Sequence, residues 1–222
     1  MKLLKSITFF VVYLGLTVSM ASAEELTNNY QTCAVCHGEK AEGNEMLSAP
    51  ALAGLEEWYT VRQLNNFKKG IRGDKSEDIF GLQMKGAVAN LTDIQINSLA
   101  KELAALTPKI QTPEIQTPES QNTESQNPDT PANSTNAESG KKYYLSNCAA
   151  CHGSKGRGNK QLNSPGLTIQ SDRYLIHQLK NFSAGLRGSH PQDKYGKQMA
   201  MMAKTLPDEQ AILDVVAYIK TL

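Results

Sequence analysis

Cys33-Ala34-Val35-Cys36-His37 and Cys148-Ala149-Ala150-Cys151-His152 are two copies of one five-residue pattern, in which two thiols sit three residues apart and an imidazole follows at once. That is the spacing of covalent c-type haem attachment. Thiols so placed can add to the two vinyl groups of one porphyrin. The adjacent histidine then lies under the iron and can ligate it through one ring nitrogen. The two motifs use all four cysteines, so none remains for a disulfide framework. The pattern implies two covalently bound haem c groups, attached through Cys33 and Cys36 and through Cys148 and Cys151, with His37 and His152 as iron ligands.

Two other uses of a C-x-x-C pair compete: a shared zinc site and a thioredoxin-like redox pair. Zinc knuckles rarely place His directly after the second Cys in both halves. A dithiol site wants a βαβ pattern around it, and none is visible.

The motifs belong to an internal repeat. Cys33 and Cys148 stand 115 residues apart, and that offset holds without a gap as far as Gln95 and Gln210. Pro50 matches Pro165, Gln63-Leu64 matches Gln178-Leu179, and Asn66-Phe67 matches Asn181-Phe182. Gly70, Arg72 and Gly73 match Gly185, Arg187 and Gly188. Gly81, Gln83 and Met84 match Gly196, Gln198 and Met199. This is a duplicated domain, and two copies are too few for a solenoid. Low aromatic content gives each copy a thin core, to which a buried porphyrin would add apolar mass.

Each copy reads as helical. Val61, Leu64 and Phe67 predict a helix over Trp58 to Lys69, and Leu175, Ile176, Leu179 and Phe182 predict one over Tyr174 to Ala184. Each ends at a glycine. A last helix follows in both copies. Thr92 and Gln95 form a capping box ahead of Ile96, Leu99, Leu103 and Leu106. Pro207 suits the first helical position ahead of Ile212, Val215, Val216 and Ile219. No alternating strand pattern is present, so the fold class is all-α.

Between the copies, from about Thr107 to Ser139, Pro, Thr, Ser, Gln and Asn dominate. So little apolar surface cannot offset the entropy of ordering, which predicts a disordered tether and two independently folding domains. Residues 1–23 read as a secretory signal: Lys2 and Lys5, an apolar run from Ile7 to Val18, and Ala21-Ser22-Ala23 as the cleavage site before Glu24. An uncleaved anchor is the alternative. The expected organisation is a signal over 1–23, a domain over 24–108, a linker over 109–139 and a second domain over 140–222. Export fits haem attachment, which bacteria complete outside the cytoplasm, and predicts a periplasmic location.

The sixth iron ligand separates an electron carrier from a haem enzyme. Met84 and Met199 are the one methionine position shared by the copies. Met46 matches Gln161, Met201 matches Gly86 and Met202 matches Ala87. Core filling is the alternative use of such a pair. His177 and His190 match Arg62 and Lys75 and read as surface residues. The carbonyls of Pro50 and Pro165 can accept the second ring N–H of His37 and His152, or the prolines simply make turns. Arg72 and Arg187 pair with propionates, or solvate a turn.

Charge divides the chain. Without Lys2 and Lys5 the formal net charge falls from +1 to −1, distributed as −4 over 24–108, −4 over 109–140 and +7 over 141–222. Lys155, Arg157 and Lys160 follow the second motif, where Glu39, Glu42 and Glu45 flank the first. A basic half steers docking to an acidic partner, or serves solubility alone.

Each copy resembles class I cytochrome c: haem motif, then Pro, then axial Met, then an amphipathic last helix. The pair, with Tyr-x-x-x-Gln-Leu-x-Asn-Phe-x-x-Gly-x-Arg in both halves, resembles the dihaem cytochrome c4 family over all of the mature chain except the linker. The resemblance implies two tandem all-α domains, each wrapped around one haem c, and His/Met ligation by His37 and Met84 and by His152 and Met199. It implies single-electron transport in the periplasm rather than catalysis, with a terminal oxidase, a quinol-oxidising complex or a dehydrogenase as redox partner. Association with a membrane surface is compatible with this, and no nucleic acid is expected. The alternatives are the electron-accepting haem subunit of a flavocytochrome-type dehydrogenase and a dihaem peroxidase. Members of the family pack their domains with haems adjacent, and the long linker here departs from that pattern.

Overall fold

The computed structural model describes residues 30–108 and 135–222. The signal expected over 1–23 and most of the linker expected over 109–139 lie outside the described residues. Among them the chain is helical, and extended pairing is limited to two isolated bridges, Asn44 to Ala49 and Asn159 to Ser164. The first half holds α1 (Gln31–His37), α2 (Glu57–Lys68), α3 (Ile79–Val88) and α4 (Asp93–Ala105). The second holds α5 (Ala137–Asn147), α6 (Ala149–His152), α7 (Asp172–Ser183), α8 (Lys194–Ala203) and α9 (Glu209–Ile219).

Local chemistry sets the ends of these helices. α2 and α7 are followed by Gly70 at φ +67° and Gly185 at φ +73°, left-handed conformations that an ordinary side chain resists. α4 starts at the Thr92–Gln95 capping box. α9 differs from the expected start at Pro207. Asp208 caps it by accepting from the Ala211 N–H at 2.8 Å, and the proline stands one residue further out. A carboxylate at that end satisfies an orphan donor and meets the positive pole of the helix, which a proline does not.

The second half begins earlier than composition predicts. Asn136 accepts from the Ser139 N–H at 3.0 Å and caps α5, so the last three residues of the expected linker are helical. α5 packs on α9 at Gly140, where a Cβ would run into the carbonyl of Asp214. Around that crossing Tyr144, Leu175, Val215, Val216 and Ile219 form the core. In the first half α4 packs on α2, and Tyr30, Ala41, Ala53, Leu99 and Leu103 form a smaller core.

The two halves are packed together, which corrects the expectation of independent domains on a tether. Polar residues that recur at the 115-residue offset build the contact, each meeting the other's counterpart. Arg72 donates to Gln63 Oε1 at 2.8 Å and across the boundary to Gln178 Oε1 at 3.0 Å. Arg187 donates to Gln178 Oε1 at 2.7 Å and across the boundary to Gln63 Oε1 at 3.2 Å and the Tyr59 hydroxyl at 3.0 Å. Each guanidinium also lies 4.4 Å from a ring centroid of its own half, Phe67 or Phe182. At the edges Arg62 donates to Asn163 Oδ1 at 3.0 Å and to its carbonyl at 2.8 Å, and Asn181 donates to Asp78 Oδ1 at 3.2 Å. A search for apolar surface misses such an interface because its centre is polar. His177 is half-buried in it and contacts Phe80, so it is not the surface residue expected.

Candidate functional site

α1 ends on the first thiol–imidazole motif, and α6 carries the second. Helical backbone puts Cys33 and Cys36, three apart, on one face of α1. Cys148 stands at the junction of α5 and α6, one residue before the helix that holds Cys151. In each pair the first thiol is half-buried and the second exposed. No disulfide joins any of the four cysteines. Each histidine is followed by a glycine of positive φ, Gly38 at +81° and Gly153 at +80°. A tyrosine hydroxyl ties that glycine back: Tyr30 donates to the Gly38 carbonyl at 2.7 Å and Tyr144 to the Gly153 carbonyl at 2.8 Å. These tyrosines are 114 residues apart, one off the repeat offset, so gapless matching does not pair them.

His37 and His152 are buried, 5% and 8% exposed. Nδ1 of His37 lies 2.9 Å from the Pro50 carbonyl, and Nδ1 of His152 lies 2.9 Å from the Pro165 carbonyl. A carbonyl only accepts, so Nδ1 carries the proton and Nε2 keeps its lone pair. Burial pulls both imidazoles below their ordinary pKa, against the pull of the proline carbonyls, and keeps them neutral. A neutral ring, oriented by its far nitrogen and with a lone pair on the other, is the form that ligates a metal.

Met84 stands on α3 and Met199 on α8. Asp78 and Asp193 cap these helices through the Gly81 N–H at 3.1 Å and the Gly196 N–H at 2.9 Å. Both methionines are half-buried, and Met199 packs on Phe182, Ala200 and Ala203. Met46, Met201 and Met202 are 86%, 64% and 37% exposed.

Arg72 and Arg187 are 9% and 8% exposed, so they do not solvate turns. They share two amide oxygens, and among the described residues neither makes a salt bridge. Nε of Arg72 is buried without a partner. Two cations buried this close are costly, and around Arg187 the phenols of Tyr59 and Tyr174 and the carboxylate of Asp193 work against the cost of burial. Anionic propionates would add to that compensation, and the residues fit a haem on this count as well as through the histidines.

The two competing uses of the cysteines fit less well. Among the described residues no three His, Cys, Asp or Glu side chains cluster to hold a metal ion. Burial raises the Cys33 thiol and pushes the Cys148 thiol up to about 11, opposite to the shift that activates a redox dithiol. The basic and acidic flanks of the motifs are accessible: Lys155, Arg157, Lys160, Glu39 and Glu45 are exposed, and Glu42 is half-buried, turned to accept from the Lys40 N–H at 2.9 Å.

The family described as Cytochrome c matches residues 24–107 and again 137–222. The thiosulfate dehydrogenase electron acceptor of Stutzerimonas stutzeri (strain A1501) is 27% identical over 178 residues, 80% of this chain and 73% of that protein. Cytochrome c4 of Azotobacter vinelandii is 26% identical over 184 residues, 78% of each chain. The solved structure of Acidithiobacillus ferrooxidans cytochrome c4 superposes with a TM-score of 0.60 at 26% identity, covering 86% of this chain and 98% of that one.

Proposed function

Because this chain belongs to the cytochrome c family, with the domain present twice, we propose that it is a periplasmic dihaem carrier of single electrons between respiratory redox partners. The observation that carries the reading is the repeated neutral imidazole, held through Nδ1 by a proline carbonyl beside a thiol pair. His37 and Met84 would ligate one iron, and His152 and Met199 the other. Cys33, Cys36, Cys148 and Cys151 would hold the porphyrins covalently. Arg72 and Arg187 would face the propionates.

When bound, the haem supplies a one-electron couple, and thioether ligation raises its potential. The protein's part is to keep the surroundings fixed as charge changes. Pro50 and Pro165 hold the rings in orientation, and the capped α3 and α8 hold the sulfurs. The buried guanidiniums offset anionic charge at the boundary between halves. Docking brings the two sites onto one rigid body, which suits transfer from one to the other.

Similarity to a thiosulfate dehydrogenase electron acceptor favours a dehydrogenase as electron donor, with a terminal oxidase as the downstream partner. Potentiometric titration of the visible bands tests haem number, ligation and poise together. Two haems per chain that survive acid–acetone, both low-spin, are expected. Extraction of either haem, or turnover of peroxide by the oxidised protein, would replace this reading.

A further inference from the structure

One peptide group, Pro165–Gly166, carries two hydrogen bonds that face opposite ways. Its carbonyl oxygen lies 2.9 Å from Nδ1 of His152, and its N–H donates to Oε1 of Glu56 at 2.8 Å. Glu56 belongs to the other half of the chain. The matching peptide, Pro50–Ala51, is built the same way with a different terminus. Its carbonyl lies 2.9 Å from Nδ1 of His37, and its N–H donates to Oε1 of Gln170 at 3.1 Å, again from the other half. Gln170 returns a second bond from Nε2 to the Ala51 carbonyl at 2.9 Å. Each histidine is therefore linked, through a single amide, to a side chain across the domain boundary. His152 ends on a carboxylate, and His37 ends on a neutral amide.

The repeat does not account for this difference. Glu56 holds the N-cap position of α2, yet its side chain caps nothing there. Its counterpart Ser171 caps α7, accepting from the Tyr174 N–H at 3.2 Å. The counterpart of Gln170 is Leu55. Glu56 has given up the local role of its position for a contact with the opposite half.

A carboxylate that accepts from an amide N–H draws electron density toward the carbonyl oxygen of the same amide. Bonds arranged in such a chain strengthen one another, and a charged terminus strengthens them more than a neutral one. A stronger acceptor at Nδ1–H makes the ring a better donor through Nε2, and a better donor favours the oxidised iron.

We propose that Glu56 is a positioning residue for the second haem: from the first half, through the Pro165–Gly166 peptide, it strengthens His152 as a donor and lowers the potential of the iron that His152 holds. This rests on the ligation by His152 proposed above. Glu56 also acts on His152 through space, offsetting part of the lowering that burial imposes on the ring. Gln170 gives His37 the same geometry without the charge. The arrangement exists only while the halves are docked, so docking itself sets the difference between the sites.

Glu56→Gln in the full-length holoprotein keeps an acceptor oxygen in place and removes the charge. Potentiometric titration, with haem methyl resonances assigned to each domain, reads the two sites separately. In Glu56→Gln the one-electron equilibrium of the second haem should shift about threefold to tenfold toward reduction, the upper limit being about 59 mV, with the first unchanged. Gln170→Glu should shift the first haem the opposite way. A second-haem potential that does not rise in Glu56→Gln, or a first-haem potential that moves with it, overturns the proposal. The unmodified protein tests the underlying reading on its own: ferric spectra without an imidazole ligand at the second iron would remove His152 from the iron, whatever the variants do.

Discussion

The guanidinium of Arg62 lies 4.7 Å from the ring centroid of Tyr195, on the other side of the boundary between the halves. The residues that repeat them are His177 and Phe80, whose rings meet edge-on at 5.3 Å. One edge of the interface thus holds a permanent cation on an aromatic ring, and the other holds a ring that titrates. Burial lowers the pKa of His177 below its ordinary 6.5; Asp78 opposes the shift, and Arg72, Arg173 and Lys180 add to it.

A pH dependence follows with a definite sign. The folded imidazole takes a proton less readily than the unfolded one. Stability is therefore fully present above the ordinary value and falls as pH drops through it, because the unfolded chain gains the proton first. Denaturant midpoints of the holoprotein between about pH 8 and pH 5 should decline more steeply for the unmodified chain than for His177→Gln. Equal slopes would show that this ring carries no part of the dependence.

Removing one member of the central network should cost far more than removing a surface charge. Arg187→Met removes the donor to the Tyr59 hydroxyl, leaves the oxygens of Gln178 and Gln63 to Arg72 alone, and should destabilise the protein by about 1–3 kcal/mol. Asp93→Asn, which breaks the exposed contact with Lys68, should stay within about 0.5 kcal/mol. Urea unfolding of both variants checks the contrast.

Met199→Ala should open one reduced iron to carbon monoxide and lower its potential. Met202→Ala, one helical turn on and exposed, should do neither. A larger effect from Met202 would mean that the repeat misplaces the sulfur ligand.

The exposed Lys155, Arg157 and Lys160 should govern docking to an acidic redox partner. Reversing all three to Glu should slow electron transfer to such a partner at low salt. The difference should fade as the Debye length falls to about 8 Å near physiological ionic strength. Stopped-flow rates across a salt series give the answer, and parallel salt slopes would leave these charges to solubility alone.

Much of this was legible in the residues. The motifs, the repeat offset, the stripes of α2, α4, α7 and α9 and the Thr92 capping box all carry local signals, because each depends on neighbours in sequence. α3 and α8 escaped: α3 contains Gly81 and Gly86, and glycine weakens any helical pattern. The docking of the halves escaped for a different reason. Tyr59, Gln63 and Arg72, with Tyr174, Gln178 and Arg187, are polar, and a buried polar network has no periodicity to read. Their signal was the identity of three polar positions across the repeat, two of them one helical turn apart on α2. Glu56 and Gln170 had no such signal, since neither has a matching counterpart.

The reciprocal contacts, in which Arg72 meets Gln178 and Arg187 meets Gln63, are the pattern of an isologous homodimer with its two subunits fused into one chain. In a true homodimer every substitution is made twice, once per subunit, so the two sites must stay alike. Fusion lifts that constraint. Arg62 and His177, Tyr195 and Phe80, Glu56 and Ser171 have each drifted apart while the arginine–glutamine centre has kept its symmetry. Such a chain can evolve its two redox centres in different directions, one residue at a time, without dismantling the interface that holds them together.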